Sequence, residues 1–327
     1  KQGDYTKAID NLKGALEIFE GIEDRDASKS LALIALEDVH RLLGDNESAK
    51  EYDSINKNIK KPDTRAPWKQ WYDLITPGLR FAYEGLRFGY EGEYDKASEE
   101  YDKALYLLTQ SLDLGKEISV LYEMRSLACI GLVYSYSKKY TEALNFYNQA
   151  LEMSREHNAK GEELDILLSI ARMYTYRRPP DDLNALKNYK LALAIAKETG
   201  DRPSEEECLT LIGQLYMDNE NVEKAEEYFQ DSLLVSSEMG AQEKIWKTQK
   251  KLGLLANLSG DKQKAKSCYI ESIKTIESIR GRISVEEYKT SFIEDKMSVY
   301  TDLIYLLLRL KENEEAFNYV ERAKSRS

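Results

Sequence analysis

Apolar and polar positions alternate along this chain with the period of amphipathic helices, and the helices come in pairs. The second helix of a pair carries a shared motif, in which an aromatic side chain follows an alanine by four residues and a small residue follows three later. The motif occurs at Ala97/Tyr101/Ala104, Ala143/Tyr147/Ala150, Ala185/Tyr189/Ala192, Ala225/Phe229/Ser232 and Ala265/Tyr269/Ser272. Spacings of four and three put these side chains on one helical face. We therefore predict an all-α protein built from packed helix pairs.

The first helix of each pair carries a small residue where the two helices are expected to cross. Gly85, Gly131, Gly213 and Gly253 each stand twelve residues before the motif alanine, and Ala171 serves the same purpose in its pair. A small side chain lets the facing helix approach closely, and the motif aromatic fills the space beside it. We predict a contact between each crossing residue and the aromatic of its pair.

These helix pairs resemble the tetratricopeptide repeat, whose pattern runs Leu-Gly-x-x-Tyr, then Ala-x-x-x-Phe, then Ala. The resemblance implies a right-handed superhelical solenoid. The motif alanines are 40 to 51 residues apart and stand at Ala8, Ala49, Ala97, Ala143, Ala185, Ala225, Ala265 and Ala316. This period of about 40 residues exceeds the ordinary 34. It is similar to the long-repeat subclass of kinesin light chain and of bacterial signalling proteins, which implies a deep groove for a peptide or a partner helix.

The chain is expected to divide into a long array and a short C-terminal part. Residues 1–279 are predicted to form a solenoid of about seven helix pairs, and residues 280–327 a final pair and a linker towards a further C-terminal domain. An irregular insertion is expected at 56–79, where three prolines break the pattern around Trp68 and Trp71. Two interpretations of these tryptophans are open: they pack on adjacent repeats, or they form an exposed aromatic contact site.

The stretch 274–327 closely resembles the junction at which a bacterial tetratricopeptide array leads into a CHAT domain. The matching segments are Ile276 to Arg280, Ser291 and Phe292, Tyr300 to Ile304, and Glu315 to Arg326. CHAT domains are caspase-like proteases with a His/Cys pair. The resemblance implies that such a domain follows Ser327, and that the array is its regulatory arm, which senses signals and docks substrates.

Composition and charge reduce the number of possible functions further. The formal net charge of −11 argues against a nucleic-acid binder or an anionic-membrane binder, and no apolar run is long enough to span a membrane. Three widely spaced cysteines form no disulfide framework and favour a reducing cytoplasm. Neither the cysteines nor His40 and His157 show the spacing of a metal site or of a thiol protease. We expect no cofactor and no enzymatic activity within these residues.

The candidate binding surface follows from the resemblance, because the first helices of tetratricopeptide arrays line the concave face. Counting from the crossing residues gives Tyr90, Arg125, Tyr136, Arg172, Tyr176, Gln214, Lys247, Lys250 and Asn257. The three tyrosines recur at equivalent places and are predicted to form an aromatic ladder. The four basic residues suit an acidic peptide or a C-terminal carboxylate. The alternative is that these side chains are solvated or pair with neighbouring acidic residues.

Three hypotheses on function remain open at this point. The first is the sensor and substrate-docking arm of a CHAT-type protease, which binds a protein or peptide in its groove. The second is a stand-alone scaffold for acidic cargo peptides, similar to kinesin light chain. The third is a bacterial peptide-pheromone receptor, which would carry an effector domain ahead of Lys1.

Overall fold

The structure, a computed structural model, describes residues 46–58, 66–281 and 296–324, with short pieces at 12–14, 16, 32–33, 35–36 and 40. The regular elements within these ranges are α-helices, and the predicted all-α class is confirmed. The helices are α1 (Asn46–Asn58), α2 (Pro67–Glu91), α3 (Tyr94–Ile118), α4 (Val120–Tyr136), α5 (Tyr140–Glu156), α6 (Lys160–Tyr176), α7 (Asp182–Thr199), α8 (Arg202–Asp218), α9 (Val222–Glu238), α10 (Gln242–Ser259), α11 (Lys262–Gly281), α12 (Met297–Arg309) and α13 (Asn313–Lys324).

The chain divides into two compact units. Residues 63–219 form one unit, here named the central unit, and residues 1–62 with 220–327 form the other, the terminal unit. In the terminal unit, α11 shares one hydrophobic core with α12 and α13, to which Ile276, Tyr300 and Ala316 contribute. The boundary predicted between residues 279 and 280 therefore falls inside a helix and its shared core.

Helices of the central unit pack as repeated pairs. The pairs α2–α3, α4–α5 and α6–α7 are in contact, and each second helix also contacts the first helix that follows it. In addition, α2 contacts α4, and α4 contacts α6. The first helices therefore form a layer of their own, whose solvent side we name the inner face.

The predicted crossings are present in three of the pairs. A methyl group added to Gly131 would lie 2.9 Å from ring carbons of Tyr147, and Gly85 and Gly253 meet Tyr101 and Tyr269 in the same way. At these three glycines only a hydrogen fits between helix and ring, so the packing there requires glycine.

The expected break at 56–79 is wrong for its second half. Helix α2 runs without interruption through Pro77, and Pro67 stands in its first turn. A proline inside a helix removes one backbone hydrogen bond, but burial of Trp71 and a close approach of Gly78 to Leu108 hold this helix in place. Residues 59–65 lie outside the described part of the chain.

Trp71 packs on the adjacent repeat, as one of the two interpretations predicted. Its Nε1 donates a hydrogen bond to Ser126 Oγ at 2.8 Å, and its ring meets Tyr122 edge-on with 4.8 Å between centroids. The exposed-site interpretation is therefore wrong for this residue. Trp68 is half-buried.

Segments of the CHAT-like junction converge on one carboxylate in the terminal unit. Glu277 of α11 accepts a hydrogen bond from Tyr300 Oη of α12 at 3.0 Å and one from Arg322 Nη2 of α13 at 2.6 Å. Ser291 and Phe292, the remaining segment of the match, lie outside the described residues. The described matching segments thus form a single helix junction.

Candidate functional site

The inner face of the central unit holds six of the nine predicted binding residues. Tyr90, Arg125, Tyr136, Arg172, Tyr176 and Gln214 lie on the first helices α2, α4, α6 and α8. Tyr90 and Tyr176 are 81% and 66% exposed, and among the described side chains neither contacts another ring or a hydrogen-bond partner. Exposed tyrosines of this kind offer both apolar area and a hydroxyl to a ligand.

The two arginines of this face bind glutamates of the next first helix. Arg125 Nη2 donates to Glu162 Oε1 at 2.8 Å, and Arg172 Nη2 donates to Glu207 Oε1. Burial raises the pKa of Asp165, with Glu162 adding to that effect and Arg172 opposing it. Acidic and basic groups therefore alternate here, and pairing with neighbouring acids, the alternative left open by the sequence, holds for both arginines.

The tyrosines do not form the expected ladder. Tyr136 pairs with Tyr83 of α2, with 5.9 Å between ring centroids, rather than with Tyr90 or Tyr176. Equivalent positions on adjacent packed helices are about 8–10 Å apart, whereas ring contacts need about 4.5–7 Å, so the contact is made by a residue in a staggered position. Tyr83 was missed, although it lies seven residues before Tyr90 and hence on the same helical face.

A buried hydroxyl lies under the same face. Tyr147 is completely buried, and within the described structure its Oη has no hydrogen-bond partner. The equivalent hydroxyls are bonded: Tyr101 Oη donates to the Tyr136 carbonyl at 3.2 Å, and Tyr189 Oη lies 3.3 Å from Thr175 Oγ1. Burial raises the pKa of Tyr147, the nearby Tyr136 hydroxyl adds to this, and the Arg172 guanidinium opposes it.

A shallow depression runs along one stripe of α2. Its lining residues are Thr76, Leu79, Arg80, Tyr83, Glu84 and Arg87. Arg80 lies 3.8 Å from Glu84, while Arg87 packs 4.7 Å over the ring of Phe88. Within the described ranges no carboxylate pairs with Arg87, so the stripe carries an arginine available to an acidic ligand.

The other three predicted residues lie on α10 of the terminal unit. Lys247 Nζ is 3.5 Å from Glu243, Lys250 Nζ donates to Ser298 Oγ at 2.9 Å, and Asn257 Oδ1 accepts from Lys262 at 2.8 Å. All three are engaged by side chains of their own unit. Their part in ligand binding stays a prediction.

The thiols are packed rather than activated. Burial raises the pKa of Cys129 and of Cys208 to about 12, far from the range of a reactive thiolate. Over the ranges that the structure describes, no group of three His, Cys, Asp or Glu could hold a metal ion. The helices of those ranges include none long and apolar enough to cross a bilayer.

Comparison with known proteins identifies the type of repeat in this architecture. The family model of the tetratricopeptide repeat matches residues 125–157 and 206–238. The chain contains tetratricopeptide repeats. This is a scaffold architecture whose extended concave surfaces serve protein interactions. Compared by sequence with curated proteins, the chain has no match.

Solved structures share the repeat fold at low sequence identity. BtubC (BKLC) from P. vanneervenii is 14% identical, with a TM-score of 0.57 over 69% of this chain and 90% of that one. Aspartyl phosphate phosphatase F from Bacillus subtilis is 15% identical, with a TM-score of 0.55 over 99% and 94%. A Rap protein complexed with Competence and Sporulation Factor is 13% identical, with a TM-score of 0.50 over 99% and 98%. The tetratricopeptide-type solenoid predicted from the sequence is thereby confirmed as the fold.

Proposed function

We propose that the inner face of the central unit binds an extended, acidic segment of a partner protein. The observation that carries this proposal is a pair of exposed tyrosines, Tyr90 and Tyr176, on a layer of contacting helices; among the described side chains neither has a ring contact or a hydrogen-bond partner. On the same layer, the Tyr83–Tyr136 pair adds an aromatic surface. Tyrosines of this kind supply large contact area at low entropic cost, which is why they are common at binding surfaces.

The basic groups of the face indicate an acidic rather than a basic ligand. Arg87 has no carboxylate partner in the described part of the chain. Arg125 and Arg172 bind Glu162 and Glu207 in pairs that are half-exposed. Exposed pairs contribute only about 0–1 kcal/mol to stability, so a ligand carboxylate can compete for these arginines. The complex of the Rap protein with its factor gives a precedent for a ligand bound to this fold.

A binding screen with matched variants tests the proposal. The probe is a fluorescein-labelled library of hexapeptides, measured by fluorescence anisotropy against the whole chain. The double variant Tyr90→Ala/Tyr176→Ala should bind at least about tenfold more weakly, since tyrosines that a ligand buries are frequent hot spots of binding. The control Tyr94→Ala/Tyr106→Ala removes two equally exposed tyrosines from the second helix α3 and should change affinity less than about twofold. Absence of binding, or an equal loss in the control, would contradict the proposal.

A second, more specific proposal concerns the terminal unit, which we propose couples the array to a CHAT protease domain. It is supported by the convergence of Glu277, Tyr300 and Arg322, which belong to three separate segments of the CHAT-like junction. Under this proposal the partner bound at the inner face is a signal or a substrate of the protease, and the protein works in the cytoplasm. The gene sequence beyond Ser327 tests it: a His-Gly followed later by a Cys is expected.

Other results from the full gene sequence would favour the remaining hypotheses. An effector domain ahead of Lys1 would favour the pheromone-receptor hypothesis. A chain with neither addition would favour a stand-alone scaffold for acidic cargo. Either result would contradict the protease coupling while leaving the binding role of the inner face intact.

A further inference from the structure

We propose that an amphipathic helix of a partner protein docks lengthwise on α2 and places carboxylates on Arg80 and Arg87. The inference goes beyond the proposed function, because it concerns a helix that lies along one first helix rather than an extended segment that crosses several. The docking surface, here named the α2 seam, consists of Tyr72, Thr76, Leu79, Tyr83 and Leu86.

Helix α2 carries two parallel rows of side chains, and the packing of α2 in its own unit buries only one of them. The buried row is spaced by four, three, four and three residues and consists of Trp71, Ile75, Gly78, Ala82 and Gly85. The α2 seam repeats this spacing one residue later, yet Tyr72 and Tyr83 are 45% and 55% exposed, and Leu79 and Leu86 are half-buried. A helix that packs through one face normally has polar residues on its solvent side. The second row is therefore an apolar surface that a partner can cover.

The spacing of the seam favours a helical ligand. Spacings of four and three residues repeat every seven, which is about 10.5 Å along a helix axis. Helices that pack side by side interdigitate side chains with this repeat. Side chains on one face of an extended segment instead recur about every 6.6 Å, so they fall out of register with the seam within a few residues. From Tyr72 to Leu86 the seam is about 21 Å long, which matches a partner helix of about four turns.

Two arginines beside the seam repeat with the same period. Arg80 and Arg87 are seven residues apart, and both line the shallow depression of α2. Each guanidinium packs over the ring of the next residue, Arg80 at 5.1 Å from the centroid of Phe81 and Arg87 at 4.7 Å from that of Phe88. Stacking occupies the flat face of a guanidinium and leaves the N–H groups at its edge able to donate. Carboxylates seven residues apart on a partner helix match both arginines.

The charge of the depression favours an acidic helix over a basic one. Its one carboxylate, Glu84, lies 3.8 Å from Arg80, and the side chains of this pair are 42% and 66% exposed. Such exposed pairs contribute little to stability, so a ligand carboxylate can compete for Arg80. Arg87 has no carboxylate partner in the described part of the chain. The depression thus offers two cations against one anion, and complementary charge on the partner is favourable.

Synthetic helices test the proposal. The probe is a fluorescein-labelled peptide of about three heptads, with Leu at alternating spacings of three and four, Glu at every seventh residue beside the Leu row, and Ala and Gln elsewhere. A second peptide carries Lys in place of each Glu. A third has the composition of the first, with its Leu residues in strict alternation with polar ones. Fluorescence anisotropy against the whole chain should show the Glu helix binding at least about tenfold more tightly than either.

Charge reversal assigns the binding to this surface. Arg80→Glu/Arg87→Glu should weaken binding of the Glu helix by at least about tenfold and strengthen binding of the Lys helix. The control Arg178→Glu/Arg309→Glu makes the same change of charge at two other exposed arginines and should leave both affinities within about twofold. Tyr72→Gln should weaken the Glu helix by about fivefold.

Several results would overturn the inference. They are a Glu helix that binds no better than the Lys helix or the alternating peptide, and a charge-reversed chain with unchanged affinity. Another is self-association of the chain, measured by sedimentation without peptide, that Arg80→Glu/Arg87→Glu abolishes, because a second copy would then cover the seam. The test of the proposed function uses hexapeptides and Tyr90 with Tyr176, which lie outside the seam, so either proposal can fail while the other stands.

Discussion

The ring of Tyr147 lies against Gly131, at the point where helix α5 crosses helix α4. A methyl group on Gly131 would come within 2.9 Å of two ring carbons, which is closer than real methyl contacts. The same relationship recurs at Gly85 and Gly253, whereas the α6–α7 pair carries Ala171 at the equivalent place. The closeness of helix and ring at these points fixes how each pair packs.

Gly131→Ala should therefore destabilise the protein. Either the Tyr147 ring or helix α5 must move, and overpacking of this kind costs about 1–3 kcal/mol in the free energy of unfolding. Urea unfolding followed by circular dichroism measures the loss. Gly161→Ala is the control, because Gly161 is also helical but has no neighbour within 4 Å; it should stabilise the chain by up to about 1 kcal/mol. A neutral Gly131→Ala would contradict the packing argument.

The protein should lose stability in alkali. Burial raises the pKa of Tyr101 to about 12 and raises the pKa of Tyr136, Tyr147 and Tyr269 as well. Between the unfolded value of about 10 and these folded values, the unfolded chain releases protons that the folded chain keeps, so stability falls as pH rises. Urea midpoints measured between about pH 8 and pH 12 should drop from about pH 10 upward.

The matching spectroscopic result is a delayed titration. Tyrosinate absorbance should rise at about pH 10 for the exposed tyrosines and again, together with loss of helix, at higher pH. Titration of all tyrosines in one step with helix content unchanged would show that the buried hydroxyls are accessible to base.

Removal of the Glu277 carboxylate should loosen the terminal unit. Glu277→Ala leaves Tyr300 and Arg322 without this acceptor, and hydrogen bonds to charged groups contribute about 1.5–3 kcal/mol. We expect a loss of about that size or somewhat less, since Arg322 is 38% exposed. The control is Glu271→Ala on the same helix, whose pair with Lys274 is exposed and should contribute less than about 0.5 kcal/mol. Equal losses in thermal unfolding would argue against a special role of the junction.

The cysteines should resist alkylation in the native state. With a pKa of about 12, the thiols of Cys129 and Cys208 hold very little thiolate at neutral pH. Mass spectrometry after a short pulse of iodoacetamide should find both largely unmodified in buffer and modified in urea. Rapid native labelling of Cys129 would mean that its environment opens readily.

Much of the fold could be predicted from the sequence, because the repeat depends on local spacing. Alanine, aromatic and crossing glycine recur at fixed intervals, and Gly131 and Tyr147 meet as that spacing predicts. The prediction at Pro77 was wrong, because a proline normally indicates a break in a helix. In this helix the lost hydrogen bond is offset by the burial of Trp71 and Gly78, which other helices provide. Local patterns do not report such tertiary compensation.

The candidate site was less predictable, for a related reason. Spacing placed Tyr90, Arg125 and Arg172 on the first helices of their pairs, as the structure has them. Residue spacing predicts which side chains share a face of one helix, but it does not predict which side chains of a neighbouring helix they contact. The pairs Arg125–Glu162 and Arg172–Glu207 span 37 and 35 residues. Within the described structure Tyr147 Oη has no hydrogen-bond partner, and the repeat pattern, which it shares with Tyr101 and Tyr189, does not predict this difference.

The bond from Trp71 to Ser126 joins the first helices of two adjacent repeats. Ser126 Oγ also lies 3.1 Å from Ser111 Oγ, so side chains of α2, α3 and α4 meet at one buried point. In repeat arrays, stability is ordinarily a sum of intrinsic and nearest-neighbour contributions, and each unit can fray by itself. Here one buried point joins both helices of the first pair to the next pair, which strengthens the interface between these two adjacent repeats. The beginning of the central unit should accordingly exchange its amide hydrogens as one cooperative block, and deletion of α2 should be felt two helices away.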